Sequence, residues 1–402
     1  MVHTDKTIIL ISTNISEKFG GEAIKAWQYA KHLQASGYDF LILSHGRCAD
    51  ELAKGFPPNT WHVIPDGGFQ ILLWKSVIFR NLLGLYFHWC ASRLIDRLEL
   101  DPASCILHYI APISPVALRL PPRDFDLVMG PLSGNIYYPP AFSARMPFKD
   151  RLRERLHAIT QRILGRLFPE KRQARVLLVS GYERTKESLL LAGASVTQFI
   201  DVVDSGVADH LADLPRHEHA GESFDFVCIG RLIDVKAFDL AIKALAQTTQ
   251  RVHLHVYGTG DALSFLQQTV RELNLADHVT FHGWIDHDQI LEAYRGKRGF
   301  IFPSLADSNG IVVQEAMMIG LPVVALNWGG PAMLADDQSA IYIEPDSEAH
   351  VVTELARAMD RLATNGAEAD RLAARAREIA ETRFRWEAVA SSWAQSYRKL
   401  EA

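Results

Sequence analysis

A chain of 402 residues, 48% hydrophobic and 22% charged, has the composition of a globular protein and is long enough for two domains of about 200 residues each. Its formal net charge of −5 argues against a dedicated nucleic-acid binder, which would show a basic excess, so no nucleic-acid partner is expected. Four cysteines, Cys48, Cys90, Cys105 and Cys228, stand far apart without a C-x2-C pair, which points to reduced thiols rather than a zinc site or a disulfide framework.

The first residues, MVHTDKTIILIS, lack a charged start followed by a long apolar run, so no signal peptide is expected and the protein reads as cytoplasmic. Thr7 to Ser12 reads as a buried strand, helical periodicity runs from Glu22 to Ser36 and stops at Gly37, and Phe40 to Ser44 is the next strand. Strand, helix and strand in that order predict a parallel sheet. The loop between the first strand and helix holds Gly20-Gly21 and no third glycine, so it is not the dinucleotide fingerprint G-x-G-x-x-G; on spacing alone it turns the chain. From Phe69 to Leu100 the chain is apolar and aromatic, with Trp74, Phe79, Tyr86, Phe87 and Trp89. Lys75, Arg80 and Asn81 interrupt it, so a transmembrane span is not expected. A buried helix is the plain reading there and a surface helix that touches lipid the sharper one.

Cys105 to His108 and Asp126 to Gly130 are the following strands, and the second leads into GPLSGN around Gly134. Arg145 to Arg175 then carries ten Lys or Arg against three Asp or Glu. Leu152, Leu156, Ile159, Ile163, Leu164 and Leu167 recur there at three and four, the pattern of an amphipathic helix with a basic polar face. Such a face can rest on anionic lipid at roughly 1 kcal/mol per nearby cation. Val176 to Ser180 is another strand, and the polar, Pro-containing stretch from His210 to Ser223 reads as a linker.

Phe224 to Ile229 opens the second half as a buried-type strand, followed by Gly230-Arg231 and, five residues after the arginine, Lys236 before a helix through Ala246. Two cations so placed can converge on an anion in front of a sheet's carboxyl edge. His253 and His255 alternate on one strand with no third ligand set by the sequence, and read as structural. Val279 to Trp284 is a further strand. The stretch from Phe300 to Pro331 then reads as strand, polar loop, helix and strand, with Asp307, Ser308, Asn309 and Gly310 in the loop and Glu315 on the helix that begins near Ile311. Gly310 allows close backbone approach, and the first amides of the helix favour an anion. Two carboxylates beside such a site suggest a ligand with both phosphates and hydroxyls, as in a nucleotide sugar.

PSLADSNGIVVQEAMMIGLPVVA resembles, over more than twenty positions, the PSxxEGFGxxxxEAMAxGxPVVA segment of family 4 glycosyltransferases, retaining enzymes of the GT-B fold with an E-x7-E motif. Asp307 stands where that family has its first Glu, and Ser308-Asn309 where it has Gly-Phe. GRLIDVKA resembles the family's GRLxxxKG, and VSGYERTKESLLLAG its VSxxxxxxLxxxG. The resemblance implies an α/β protein of two Rossmann-like domains facing across a cleft. The expected units are an acceptor-binding domain at 1–209, completed by a C-terminal helix at 385–402 that crosses back, and a nucleotide-sugar-binding domain at 222–384.

It further implies that Arg231 and Lys236 bind the donor diphosphate together with the amides of Asn309, Gly310, Ile311 and Val312 and the Gly230 turn. Glu315 then accepts from the ribose hydroxyls, Asp307 addresses the transferred sugar, and Trp284 and Ile285 border the base. Gly20 and Gly21 line the diphosphate and the acceptor, His108 is the nearest candidate for a histidine beside the sugar, and the Gly134 loop falls on the acceptor side. The expected activity is hexosyl transfer with retention from a nucleotide-diphosphate sugar to a glycan or lipid-linked acceptor, in bacterial surface polysaccharide synthesis, at an anionic membrane surface and with no cofactor or metal. Asp124-Phe125-Asp126 and Asp286-His287-Asp288 match the D-x-D of metal-dependent glycosyltransferases, yet a strand entry and a helix cap explain them. The rival expectations are a GT-B epimerase or phosphorylase, and a catalytically weak nucleotide-sugar-binding partner subunit.

Overall fold

The computed structural model describes residues 4–75, 82–181, 183–214, 224–286 and 289–400. Two compact units divide the chain. The first joins Met1–Asn135, Arg155–Asp204 and Glu387–Ala402, and the second joins Ile136–Glu154 and Ser205–Trp386.

The first unit contains β1 (Thr7–Ile11), β2 (Phe40–His45), β3 (Trp61–Ile64), β4 (Cys105–Tyr109), β5 (Asp126–Leu132), β6 (Val176–Val179) and β7 (Phe199–Asp201). They form one parallel sheet in the order β3-β2-β1-β4-β5-β6-β7. Ile8 to Ile11 are wholly buried, which is why the strand reads as an unbroken apolar run: a parallel strand needs cover on both faces. The helix Gly21–Ala35 supplies part of that cover through Ala26, Ala30 and Leu33, and Gly37, at φ +72°, takes the left-handed turn that ends it. Strand order reverses between β1 and β4, so the loops that leave them diverge at the carboxyl edge and open a crevice.

The last residues belong to this unit. The helix expected at 385–402 is α-helical over Trp386–Ala394 and tightens to 3-10 turns over Gln395–Leu400. Trp393 is fully buried and donates from Nε1 to the Val203 carbonyl at 2.8 Å.

In the second unit, β8 (Asp225–Ile229), β9 (His253–Tyr257), β10 (Val279–Gly283), β11 (Gly299–Phe302), β12 (Val323–Leu326) and β13 (Ala340–Ile343) make another parallel sheet, ordered β10-β9-β8-β11-β12-β13. Its switch point lies between β8 and β11. Residues 136–154, assigned by sequence to the first half, are part of this second unit. Tyr137, Tyr138, Phe142 and Met146 join its core beside Phe238 and Leu240, Arg145 pairs with Asp239 at 2.7 Å, and Trp328 donates to the Tyr137 carbonyl at 2.8 Å. A short excursion of 3-10 turns at Pro140–Arg145 has no periodicity to reveal which sheet it packs on.

The aromatic stretch after Phe69 divides its burial: the helix Leu83–Arg97 buries Phe87, His88, Ala91 and Ile95 while Trp89 is 47% exposed. The side chain of Trp74, residues Phe79, Arg80 and Asn81, the linker from 215 to 223 and Asp288 lie outside the described residues. Among the described residues no helix is long and apolar enough to cross a membrane.

Candidate active site

The loops that leave β8 and β11 meet at the switch point of the second sheet. Leu305 donates its amide to the Val235 carbonyl at 2.8 Å and Ser304 its hydroxyl to the same oxygen at 3.3 Å, which draws the loop after β11 against the loop after β8. Lys236 and Asp307 are thereby brought into contact and form an ion pair, both about one-sixth exposed. The Lys236 ammonium also lies 5.0 Å from the centre of the Phe302 ring, a favourable cation–π position. Asp307 therefore bonds to a cation of the site itself, where the sequence reading had it addressing a sugar. Arg231 is exposed at the end of β8 and makes no ion pair among the described residues.

The helix Ile311–Ile319 starts directly after this pair. Gly310 caps it at φ +74°, and a side chain there would meet Pro331 at 3.0 Å. Ile311 and Val312 are half-buried and every later residue of the helix is buried, so only its first amides, which have no carbonyl partner within the helix, approach the surface. Asn309 accepts from the Gln314 amide at 3.2 Å, which braces the loop on the helix it precedes.

Glu315 is the one acid of this helix and is only 2% exposed. Burial pushes its carboxyl up to about 8, against the opposing pull of a hydrogen bond with the Tyr294 hydroxyl. That hydroxyl also reaches the Val312 carbonyl at 3.2 Å. Near neutral pH the carboxyl is thus mostly protonated, and Tyr294 ties it to the open end of the helix.

Glycines shape the rest of the edge. Gly258, at φ +132°, sits so close to Gly230 that a Cβ would fall 1.8 Å from the Gly230 carbonyl oxygen, and its amide donates to Gly283 at 2.7 Å. The carboxyl ends of β8, β9 and β10 are pinched together by this contact, and Trp284 and Ile285 follow immediately. Trp284 is 71% exposed with its indole donating to Asp286 at 3.1 Å, and Ile285 is half-buried. On the other side Gly330 donates to the Asp307 carbonyl at 2.8 Å, and a Cβ on it would lie 2.1 Å from the Ser308 carbonyl. Tyr294, Phe302, Gly258 and Gly330 were not singled out from the sequence. The glycine pair at 329 and 330 was visible there without any pattern to assign it.

Residues 211–379 match the family described as Glycosyl transferases group 1. Over that segment, which lies within the second unit, the chain is similar to that family. A GDP-mannose-dependent alpha-(1-6)-phosphatidylinositol monomannoside mannosyltransferase of Mycobacterium tuberculosis is 29% identical over 205 residues, covering 48% of this chain and 51% of that one. A D-inositol 3-phosphate glycosyltransferase of Segniliparus rotundus is 32% identical over 181 residues, 42% of this chain and 38% of the relative. The chain thus spans about half or less of the length of the curated relatives it matches. Solved structures match over both units: HepE of Anabaena in complex with UDP has a TM-score of 0.66 at 18% identity, with 98% of this chain and 99% of that chain covered. Sucrose-phosphate synthase of Thermosynechococcus elongatus has a TM-score of 0.66 at 19% identity and the same coverage. The fold is accordingly GT-B.

The remaining candidates lie in the first unit. Gly20, at φ +93°, and Gly21 form an exposed loop at the start of the helix Gly21–Ala35, with open space where either side chain would stand. His108 is fully buried in β4: Nδ1 bonds to the Tyr397 hydroxyl at 2.6 Å and Nε2 to the Gly130 carbonyl at 2.8 Å. Burial lowers its basicity to about 4. Both nitrogens are used, so His108 ties the C-terminal segment to the sheet, and the expectation that it faces a sugar is corrected. Asp126 of the first D-x-D pair bonds to Lys6 at 2.7 Å and Arg175 at 3.0 Å. Among the described residues no group of three or more His, Cys, Asp or Glu is arranged to hold a metal ion.

A cavity of about 370 Å³ opens at the carboxyl ends of β1 to β3, lined by Thr13, Asn14, His45, Arg47, Asp66 and Gln70 among others. Gln70 donates to His45 Nδ1 at 3.2 Å and accepts from the Gly67 amide at 3.1 Å, while Arg47 and Asp66 pair at 3.2 Å. Burial, with the nearby Arg47 charge, lowers His45 to about 4, so its ring is neutral. Neutral and paired polar groups over an apolar wall suit a hydroxylated ring.

Proposed function

We propose that the chain is a retaining, metal-independent hexosyltransferase of the family 4 type. Its second unit holds a nucleoside-diphosphate sugar and its first unit receives a glycan or lipid-linked acceptor of bacterial surface polysaccharide synthesis. The observation that carries this reading is the grouping, inside the matched segment, of the Lys236 and Asp307 pair, the Gly310-capped helix start and the buried Glu315. Lys236 and Arg231 would take the charge that grows on the leaving diphosphate, and the amides of Asn309, Gly310, Ile311 and Val312 would add fixed dipoles; one good donor of this kind is worth about 3 kcal/mol. Glu315 would meet the ribose hydroxyls, and Trp284 and Ile285 the base. Asp307 would hold Lys236 in reach and turn to the sugar hydroxyls once phosphate has taken the lysine. The cavity beside His45 and Gln70, with the loops at Gly20, Gly21 and Gly134, would seat the acceptor.

Relatives with GDP-mannose in their names and structures bound to UDP support a nucleotide-sugar donor without choosing its base. The same reading has the enzyme working from the cytoplasm at a membrane surface, where a lipid-linked acceptor would be presented. A thermal-shift series with UDP, GDP and their sugars tests it, since a ligand bound only by the folded chain raises the melting temperature. One nucleoside diphosphate is expected to stabilise strongly, and its sugar to be transferred in EDTA with the anomeric configuration kept. No shift with any of them overturns the donor site, and inversion or loss of turnover in EDTA overturns the mechanism.

A further inference from the structure

The helix Phe148–Leu167 wears its apolar residues on the outside. Phe148, Leu152, Leu156, Ile159, Ile163 and Leu167 recur at four, four, three, four and four, which aligns them on one face, and each is between 46% and 71% exposed. The residues this helix buries are instead Gln161 and Gly165. Gln161 donates to Ser188 at 2.7 Å, and Gly165 presses so closely that a Cβ would lie 2.2 Å from the Ala192 carbonyl. The helix is therefore anchored by a polar and small face and turns its leucines and isoleucines to water, the reverse of an ordinary surface helix.

Charge says what should cover that stripe. Lys149, Arg151, Arg153, Arg155, Arg162 and Arg166 share the helix with only Asp150 and Glu154. Long arginine side chains beside an apolar stripe can reach upward to phosphate while their stems stay in hydrocarbon. A second copy of the same face would set these cations against their own kind, whereas an anionic bilayer complements both the stripe and its flanks. We infer that Phe148–Leu167 is an in-plane membrane anchor that seats its apolar stripe at the acyl boundary of an anionic bilayer and its arginines among the headgroup phosphates. The inference rests on the membrane part of the function proposed above.

Flotation of the full chain with vesicles containing phosphatidylglycerol, against vesicles of phosphatidylcholine alone, tests it without donor or acceptor, so its outcome is separate from that of the nucleotide series. Binding is expected with the anionic vesicles only and is weakened by high salt. Arg162→Gln should lower the partition about fivefold. The double variant Leu156→Glu/Ile159→Glu should abolish it at an unchanged melting temperature, because both positions are about half exposed. Three results would overturn the inference: no flotation of the parent chain at low salt, flotation unaffected by the double variant, or a solution dimer that the double variant dissociates.

Discussion

Glu315→Gln separates the two tasks of a buried acid. The carboxyl moves from its ordinary 4.5 to about 8 in the fold, so the folded chain keeps a proton that the unfolded chain releases. A raised value stabilises fully below the unfolded value and loses that contribution as pH climbs through the folded one. Each pH unit between these limits costs the fold about 1.4 kcal/mol, on the order of 5 kcal/mol in all. Glutamine keeps the size and most of the hydrogen bonding and cannot ionise. Urea unfolding of both proteins at several values from about pH 5 to about pH 8 should therefore give a stability difference that grows in favour of the variant by about 1.4 kcal/mol per unit. Nucleotide affinity should move the other way. If ribose hydroxyls donate to the ionised carboxylate, binding expels the proton, and affinity of the parent chain rises up to about tenfold per pH unit before levelling above 8. Calorimetry in buffers of different ionisation heat reads that proton directly. A stability difference that stays flat with pH would refute the reasoning at its root, since the carboxyl would then not be held protonated by burial.

Four further substitutions probe the remaining parts. Lys236→Ala should cut turnover about 100- to 1000-fold, while Asp277→Ala, at an exposed turn of the same unit, should leave kcat and KM unchanged in the same assay. Gly258→Ala should cost about 2–4 kcal/mol, seen as a melting temperature lower by on the order of 10 °C, because its Cβ has no room against Gly230. Ala237 sits at φ +49°, so Ala237→Gly should raise stability by roughly 0.5 kcal/mol in urea titration; a loss would contradict left-handed strain at that position. His108→Phe should destabilise by about 1–3 kcal/mol through the Gly130 carbonyl left without the imidazole, the Tyr397 hydroxyl keeping its bond with Tyr29, with nucleotide affinity by calorimetry unchanged.

The central strands were legible because burial on both faces leaves a signal no loop imitates: β1, β4, β8, β11 and β12 fall within a residue or two of their expected places. The short outer strands β3, β7 and β13 were missed, since three or four residues carry too little pattern. Of the candidate site, Arg231, Lys236, Asp307, Gly310 and Glu315 were singled out from spacing and resemblance. The pairing of Lys236 with Asp307 could not, because it depends on the tie between Leu305 and Val235 across the sheet. Ala237 shows a different limit: it stands where glycine is common, and only its left-handed backbone tells why. His108 misled because a histidine at a strand end looks the same whether it faces a cleft or the core.

The structure also resolves a conflict that the sequence raised, two acids beside a site suited to anions. Glu315 is mostly neutral near pH 7 because burial makes its charge expensive, and Asp307 is matched by the ion pair with Lys236. What remains is the positive charge of Arg231 and the open amides at the start of the helix. On the function proposed above, an arriving diphosphate would meet a mildly positive end rather than two repelling carboxylates, and by taking Lys236 it would release Asp307 toward the sugar. The shorter side chain of aspartate fits this sequence of contacts, since it holds the lysine close to the Phe302 ring. Asp307→Glu should then loosen that grip and change affinity for the free nucleoside diphosphate, which carries no sugar for the acid to address. An effect confined to the sugar-bearing donor would instead assign Asp307 to the sugar alone.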